Sequence, residues 1–292
     1  MEKYAKIKTG VPGLNRLLEG GLNPHTVTVV VGPAGAGKTT IATQFIRRGL
    51  YDSRECIFVS LDETKDQIIK TAINMGFVDI MDYVKDEKLF FIDVSGKSFR
   101  EYINDELPVL VNDWKAADTI IAIDPLTPVM WSAKERYEQR ELVGTLFKLT
   151  KKIGTVLATL EEHSYGMDAD VVVPTYLADT AVRLWQSHAS GPSGRMVKIL
   201  KARNTHHSRD EHPYSILKGF GIVVKNSPAR KKEPGGAAQF DPDTILGDSR
   251  LSALEPVSRA RVLPLLKLLK NYRYENINTD DIIEGILDEF NE

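Results

Sequence analysis

Short apolar runs alternate with longer amphipathic stretches through the first two thirds of the chain. TVTVVVG (26–32), CIFVSL (56–61), KLFFIDV (88–94), TIIAID (119–124) and TVLATL (155–160) are rich in β-branched residues and of strand length. Residues 38–50 and 65–75 carry helical periodicity, and further helical stretches fill the gaps between the later runs. Strands that are apolar on both faces and joined by helices predict a parallel sheet covered on both sides. After Asp179 the rhythm changes. TAVRLW, MVKILKA and YSILKGFGIVV follow one another with short turns, which predicts an antiparallel edge added to that sheet. Residues 226–248 are rich in Pro, Gly and charge and read as a linker. SRARVLPLLKLLKNY and TDDIIEGILDEF beyond it predict two helices, the second capped at Thr279 with Asp280 and Asp281 in its first turn. The expected organisation is an α/β domain over 1–225, a linker over 226–248 and a helical extension over 249–292. VLPLLKLL is too apolar for a free helix, so it should dock on the core or on a partner, with Pro264 kinking it or marking its start. This extension is expected to be dispensable for folding but not for regulation or partner choice.

Composition narrows the class without changing this picture. A chain of 292 residues, 42% hydrophobic and 27% charged, has the makeup of a globular protein rather than a disordered one. Cys56 is the single cysteine, so no intramolecular disulfide forms. The opening MEKYAKIKTG has no apolar signal core and no run reaches membrane-spanning length, so a cytoplasmic protein is expected. A net charge of −2 argues against a protein that mainly tracks nucleic acid backbone.

The candidate chemistry is concentrated at strand ends. GPAGAGKTT, from Gly32 through Pro33, Ala34, Gly35, Ala36, Gly37, Lys38 and Thr39 to Thr40, fits G-x-x-x-x-G-K-[ST] between a strand and a helix. Gly35 and Gly37 let backbone N–H groups converge on a β-phosphate at the positive end of the following helix. Lys38 would reach the β- and γ-phosphates and the Thr39 hydroxyl would ligate Mg²⁺. Asp124 ends an apolar strand, where it would hold the same ion through water. Asp62 and Glu63 in SLDET follow the neighbouring strand, where a carboxylate can polarise an attacking water. The same two residues also read as an acidic cap for helix 65–75.

TGVPGLNRLLEGGL, GPAGAGKTT, SLDET, AIDPL, TVLATLEE, ADTAVRL and KARNTHH occur in the order found in KaiC-like ATPases of the RecA superfamily, which the chain resembles over about residues 5–224. RadA-type recombinase paralogues belong to the same superfamily. The resemblance implies a RecA-type core that assembles side by side into a homo-oligomeric ring, a hexamer among the candidate sizes, with ATP between subunits. It also implies that Lys201 and Arg203 act in trans on the γ-phosphate, while Thr205 and His207 line the neighbour's nucleotide pocket. The family's catalytic pair is usually two glutamates, and the first is Asp62 here, so Glu63 is expected to act alone and turnover to be slow. Thr175 falls near the phosphorylated hydroxyls of the clock member, though a lone loop threonine needs no such role. His206 and His207 have no cysteine or HExxH pattern beside them that would make a metal site. Lys134, Arg136 and Arg140 would serve a recombinase paralogue that binds DNA, but Glu135, Glu138 and Glu141 neutralise them. A nucleotide-sensing scaffold with little hydrolysis is the third reading.

Overall fold

The computed structural model describes residues 5–94, 99–114, 118–162, 169–187, 194–225, 245–269 and 279–290. Most of the expected linker, 226–244, lies outside them. In chain order the elements are α1 (Leu14–Leu17), β1 (Val27–Gly32), α2 (Lys38–Tyr51), β2 (Cys56–Ser60), α3 (Lys65–Asn74), α4 (Ile80–Lys85) and β3 (Leu89–Asp93). α5 (Phe99–Glu101) runs through a π-turn into α6 (Leu107–Asp113). β4 (Thr119–Asp124), α7 (Thr127–Trp131), α8 (Arg136–Thr150), β5 (Gly154–Glu161) and α9 (Ala169–Leu177) follow. β6 (Thr180–Gln186), β7 (Arg195–Ala202), β8 (His212–Leu217) and β9 (Gly221–Val224) complete the sheet, and α10 (Pro256–Leu269) and α11 (Thr279–Phe290) form the extension.

The nine strands form one sheet in the order β3-β2-β4-β5-β1-β6-β7-β8-β9. Every pair from β3 to β6 is parallel, and the pairs from β6 to β9 are antiparallel. Alternation along each strand feeds two cores. β1 sends Val30 to one face, against Ile41, Phe45 and Ile46 of α2. It sends Val27, Val29 and Val31 to the other, with Leu142, Val143, Leu146 and Phe147 of α8. All six β1 residues are buried, as expected for a central parallel strand.

Three local expectations need correction. YSILKGFGIVV is a hairpin, because Gly219 and Gly221 take φ of 90° and 74° and turn the chain between β8 and β9. Thr175 lies in α9 and not in a loop; its hydroxyl donates to the Val171 carbonyl at 2.7 Å. Pro264 sits inside α10, whose start is marked instead by Pro256.

The extension shares a core with the sheet. Leu217, Phe220 and Val223 of the hairpin cluster with Val262, Leu265, Leu266 and Leu269 of α10 and with Ile282, Ile283 and Ile286 of α11. Ile245, within the expected linker, is fully buried in the same cluster. α11 also carries Glu289, 2% exposed, onto the start of the chain. Its carboxylate accepts from Asn15 Nδ2 at 2.5 Å and Gly10 N at 3.1 Å, and lies 3.3 Å from Arg48 of α2.

Candidate functional site

The parallel strands carry the candidate residues to their carboxyl ends, where the loops of an open α/β sheet leave a crevice. β1 is extended and buried up to Gly32, and the chain then curls through Gly35 (φ 74°) and Gly37 (φ 93°) into α2. Ala34 and Gly35 are exposed; Pro33, Thr39 and Thr40 are half-buried. The N-cap of α2 is Gly37, with no side chain bonded to the first-turn amides, which leaves them for an anion. Lys38 Nζ donates to the Pro33 carbonyl at 3.0 Å, folded back over the loop. Burial pushes the Lys38 ammonium down, while Glu161 and then Asp124 hold it up.

Asp124 is 8% exposed and accepts from the Thr159 hydroxyl of the adjacent β5. Burial drives its carboxyl up, opposed by hydrogen bonds from Thr159 and Thr39 and by the charge of Lys38. Thr39 and Asp124 therefore meet beside Lys38, an oxygen pair suited to a hard divalent cation with water between. Ser60 lies in register with Asp124, so the SLDET turn leaves β2 directly alongside it. Both Asp62 and Glu63 are exposed there. Burial, Asp124 and Asp62 raise the Glu63 carboxyl, which suits a group that takes a proton. Neither of these residues caps α3. Thr64 does: its hydroxyl accepts from Gln67 N at 3.4 Å while Gln67 Oε1 accepts from Thr64 N at 2.8 Å. The T-x-x-Q spacing carried that signal, and it frees both carboxylates for other work.

The cations of KARNTHH sit elsewhere. Ala202 of β7 is in register with Thr180, and Thr180 with Thr28, so Lys201 and Arg203 flank the amino end of β1. At about 3.3 Å per residue, Lys201, level with Val29 through Ala181, lies roughly 10 Å along the strand axis from Gly32, and Arg203 roughly 16 Å. They are not simply solvated. Lys201 Nζ donates to the Thr175 and Tyr176 carbonyls at 2.9 and 3.0 Å, and Arg203 Nη2 to the Tyr176 carbonyl at 3.3 Å, capping the last turn of α9. Burial and the neighbouring Arg203 depress the Lys201 ammonium. Thr205 Oγ1 accepts from Lys6 Nζ at 2.7 Å, and His207 Nδ1 lies 2.9 Å from the Ser208 carbonyl, on the same edge. One chain thus brings together the P-loop, Asp124 and Glu63, and keeps Lys201, Arg203, Thr205 and His207 apart from them.

Glu161 and Thr159 belong to the site and were missed. TVLATLEE places them at a strand's carboxyl end beside the P-loop strand, in register with Gly32 and Val30. Their position at the end of an apolar run was the available signal; adjacency to the P-loop strand emerges only in the fold. Among the described residues no group of three or more His, Cys, Asp or Glu is arranged to hold a metal.

The family model "ATPase: KaiC" matches residues 7–229. The circadian clock oscillator protein KaiC of Thermostichus vulcanus is 30% identical over 234 residues, covering 74% of this chain and 44% of that protein. The circadian clock protein KaiC3 of Synechocystis sp. is 28% identical, covering 75% of this chain and 45% of its own length. The chain therefore spans less than half the length of the curated relatives it matches. The crystal structure of a KaiC-like protein from the hyperthermophile Pyrococcus horikoshii OT3 superposes with a TM-score of 0.64 at 26% identity, covering 75% of this chain and 98% of that one. With its P-loop, its RecA-type sheet and a family match over most of its length, this chain belongs to the KaiC family of ATPases.

Proposed function

We propose that the protein is a homo-oligomeric ATPase that binds ATP–Mg²⁺ between subunits and couples binding, or slow hydrolysis, to assembly or to regulation of a protein partner. The observation that carries this reading is the separation of the two halves of the chemistry. P-loop, Asp124 and Glu63 lie at one end of the strands, while Lys201 and Arg203 lie at the other. Within one chain the cations are tied to the α9 carbonyls, away from the P-loop, which supports a reading in which they meet the γ-phosphate of a neighbouring subunit. Bound ATP–Mg²⁺ would supply the transferable phosphoryl group and the charge that offsets it in flight. The chain's own residues divide the remaining work. The Gly35–Gly37 turn and the α2 amides cradle phosphate, Lys38 neutralises it, and Thr39 with Asp124 hold the ion. Glu63 orients water and takes its proton, with the shorter Asp62 beside it. Among the described residues no helix is long and apolar enough to cross a membrane.

Light scattering with and without ATP–Mg²⁺, followed by phosphate release on the same sample, tests the reading. Growth in mass with ATP and slow phosphate release are expected; an unchanged mass sinks the assembly claim. Trans action is tested by mixing. Arg203→Ala and Lys38→Ala should each be nearly inactive alone and regain activity together, because some interfaces then pair an intact P-loop with an intact arginine. Failure of every mixing ratio, with co-assembly demonstrated, would return the KARNTHH cations to their role as an α9 cap.

A further inference from the structure

The P-loop is pressed from behind by the antiparallel extension. Ala36 is fully buried, and its carbonyl accepts from the Tyr214 hydroxyl of β8 at 2.6 Å. Tyr214 is 3% exposed, and burial holds its phenol well above the usual range, so it stays a neutral donor. Beside it, a Cβ on Gly37 would come within 3.0 Å of both Ile216 Cδ1 and Ile222 Cδ1. The hairpin is fixed to α2 by the buried Gln44, whose amide donates to the Phe220 and Ile222 carbonyls at 2.9 and 3.1 Å and accepts from Ile222 N at 2.7 Å.

A phosphate loop works only if its N–H groups face the ligand, and its carbonyls must then face away. A carbonyl turned into a dry interior needs a donor there. Across a trans peptide the N–H points opposite to the preceding C=O. With the Ala36 carbonyl drawn toward Tyr214, the Gly37 N–H points out of the core and into the cradle. We propose that Tyr214 is a positioning residue of the phosphate loop, holding the Ala36–Gly37 peptide in its anion-binding orientation from a strand outside the P-loop unit. The inference rests on the nucleotide reading above and assigns to that site a determinant of affinity that the G-x-x-x-x-G-K-[ST] pattern does not contain.

The test is ADP binding by calorimetry, with melting of the nucleotide-free protein, for wild type, Tyr214→Phe and Tyr51→Phe in the full chain. Tyr51→Phe also loses a hydroxyl bond, a half-buried one to Asp79 at 2.7 Å, but at the far end of α2. Tyr214→Phe should weaken ADP binding by about ten-fold, the scale of one buried hydrogen bond with its acceptor left unpaired. Tyr51→Phe should lower the melting temperature by a similar few degrees and leave affinity within about two-fold. If wild type binds ADP and Tyr214→Phe binds equally well, the positioning role falls while the nucleotide reading stands. If wild type binds no ADP, both fall. A Tyr214→Phe chain that no longer folds would also overturn the proposal, since the hydroxyl would then serve the fold and not the loop.

Discussion

Glu289→Gln should flatten the pH dependence of stability rather than simply weaken the protein. Glu289 is buried where α11 meets the first turn of the chain, and burial pushes its carboxyl from the ordinary 4.5 up to about 7, against the pull of Arg48, Asn15 and Lys8. A carboxyl raised in the folded state favours folding most when it is protonated. Its contribution is complete below about pH 4.5 and is lost as pH rises through 7, a change of about 3 kcal/mol. Asp288 next to it is also raised by burial, and it keeps its own dependence in the variant. Glutamine mimics the neutral form, and Arg48 retains Asp52 at 2.9 Å, so no cation is stranded. Melting curves of wild type and variant should therefore nearly coincide near pH 4.5. They should separate toward pH 8, the variant melting higher by about 6–12 °C, given roughly 2–4 °C per kcal/mol in large domains. Parallel curves, or a variant that melts lower at pH 8, would show that the Arg48 pair outweighs the burial of charge.

Three further outcomes are expected. Lys38→Ala should abolish tight ATP binding in calorimetry, because it removes the cation folded over the loop. Glu63→Gln should preserve binding yet lower phosphate release more than Asp62→Asn does, since the longer carboxylate has the reach; equal losses would move the role to Asp62. Gly10→Ala should destabilise by about 3 kcal/mol in denaturant unfolding, because φ is +75° and its Cβ would come within 2.2 Å of the Gln44 carbonyl oxygen.

The parallel half of the sheet was readable because each of its first five strands is a continuous apolar run, and TIIAID matches β4 residue for residue. α9 was not. Its ADVVVPTYL stretch has three consecutive valines and a proline, which argue against a helix until α8 and the cations of β7 hold it. The phosphate loop was legible as a local pattern whose residues are neighbours in sequence. Tyr214 and Gln44 were not, since each acts on a partner 178 positions away that only the folded sheet brings near. Glu161 stood in plain view, but its effect on Lys38 depends on strand order, which periodicity does not encode.

β9 is the last strand of the sheet, and an uncovered last strand is an open template for pairing with other chains. Here the rim is sealed from two directions. Val224 N donates to the Pro12 carbonyl at 2.9 Å, and α11 lies so close over that segment that a Cβ on Gly285 would come within 2.8 Å of Pro12. A chain cut at residue 225, near where the family match ends, would lose this lid and would expose Leu217, Phe220 and Val223 to water. Burial of each such side chain stabilises by roughly 1.5–3 kcal/mol, so the shortened chain should run as aggregate in gel filtration, contrary to the dispensability expected from sequence. The extension then has a duty independent of any partner: it keeps the β9 rim from joining other copies of the chain, strand to strand.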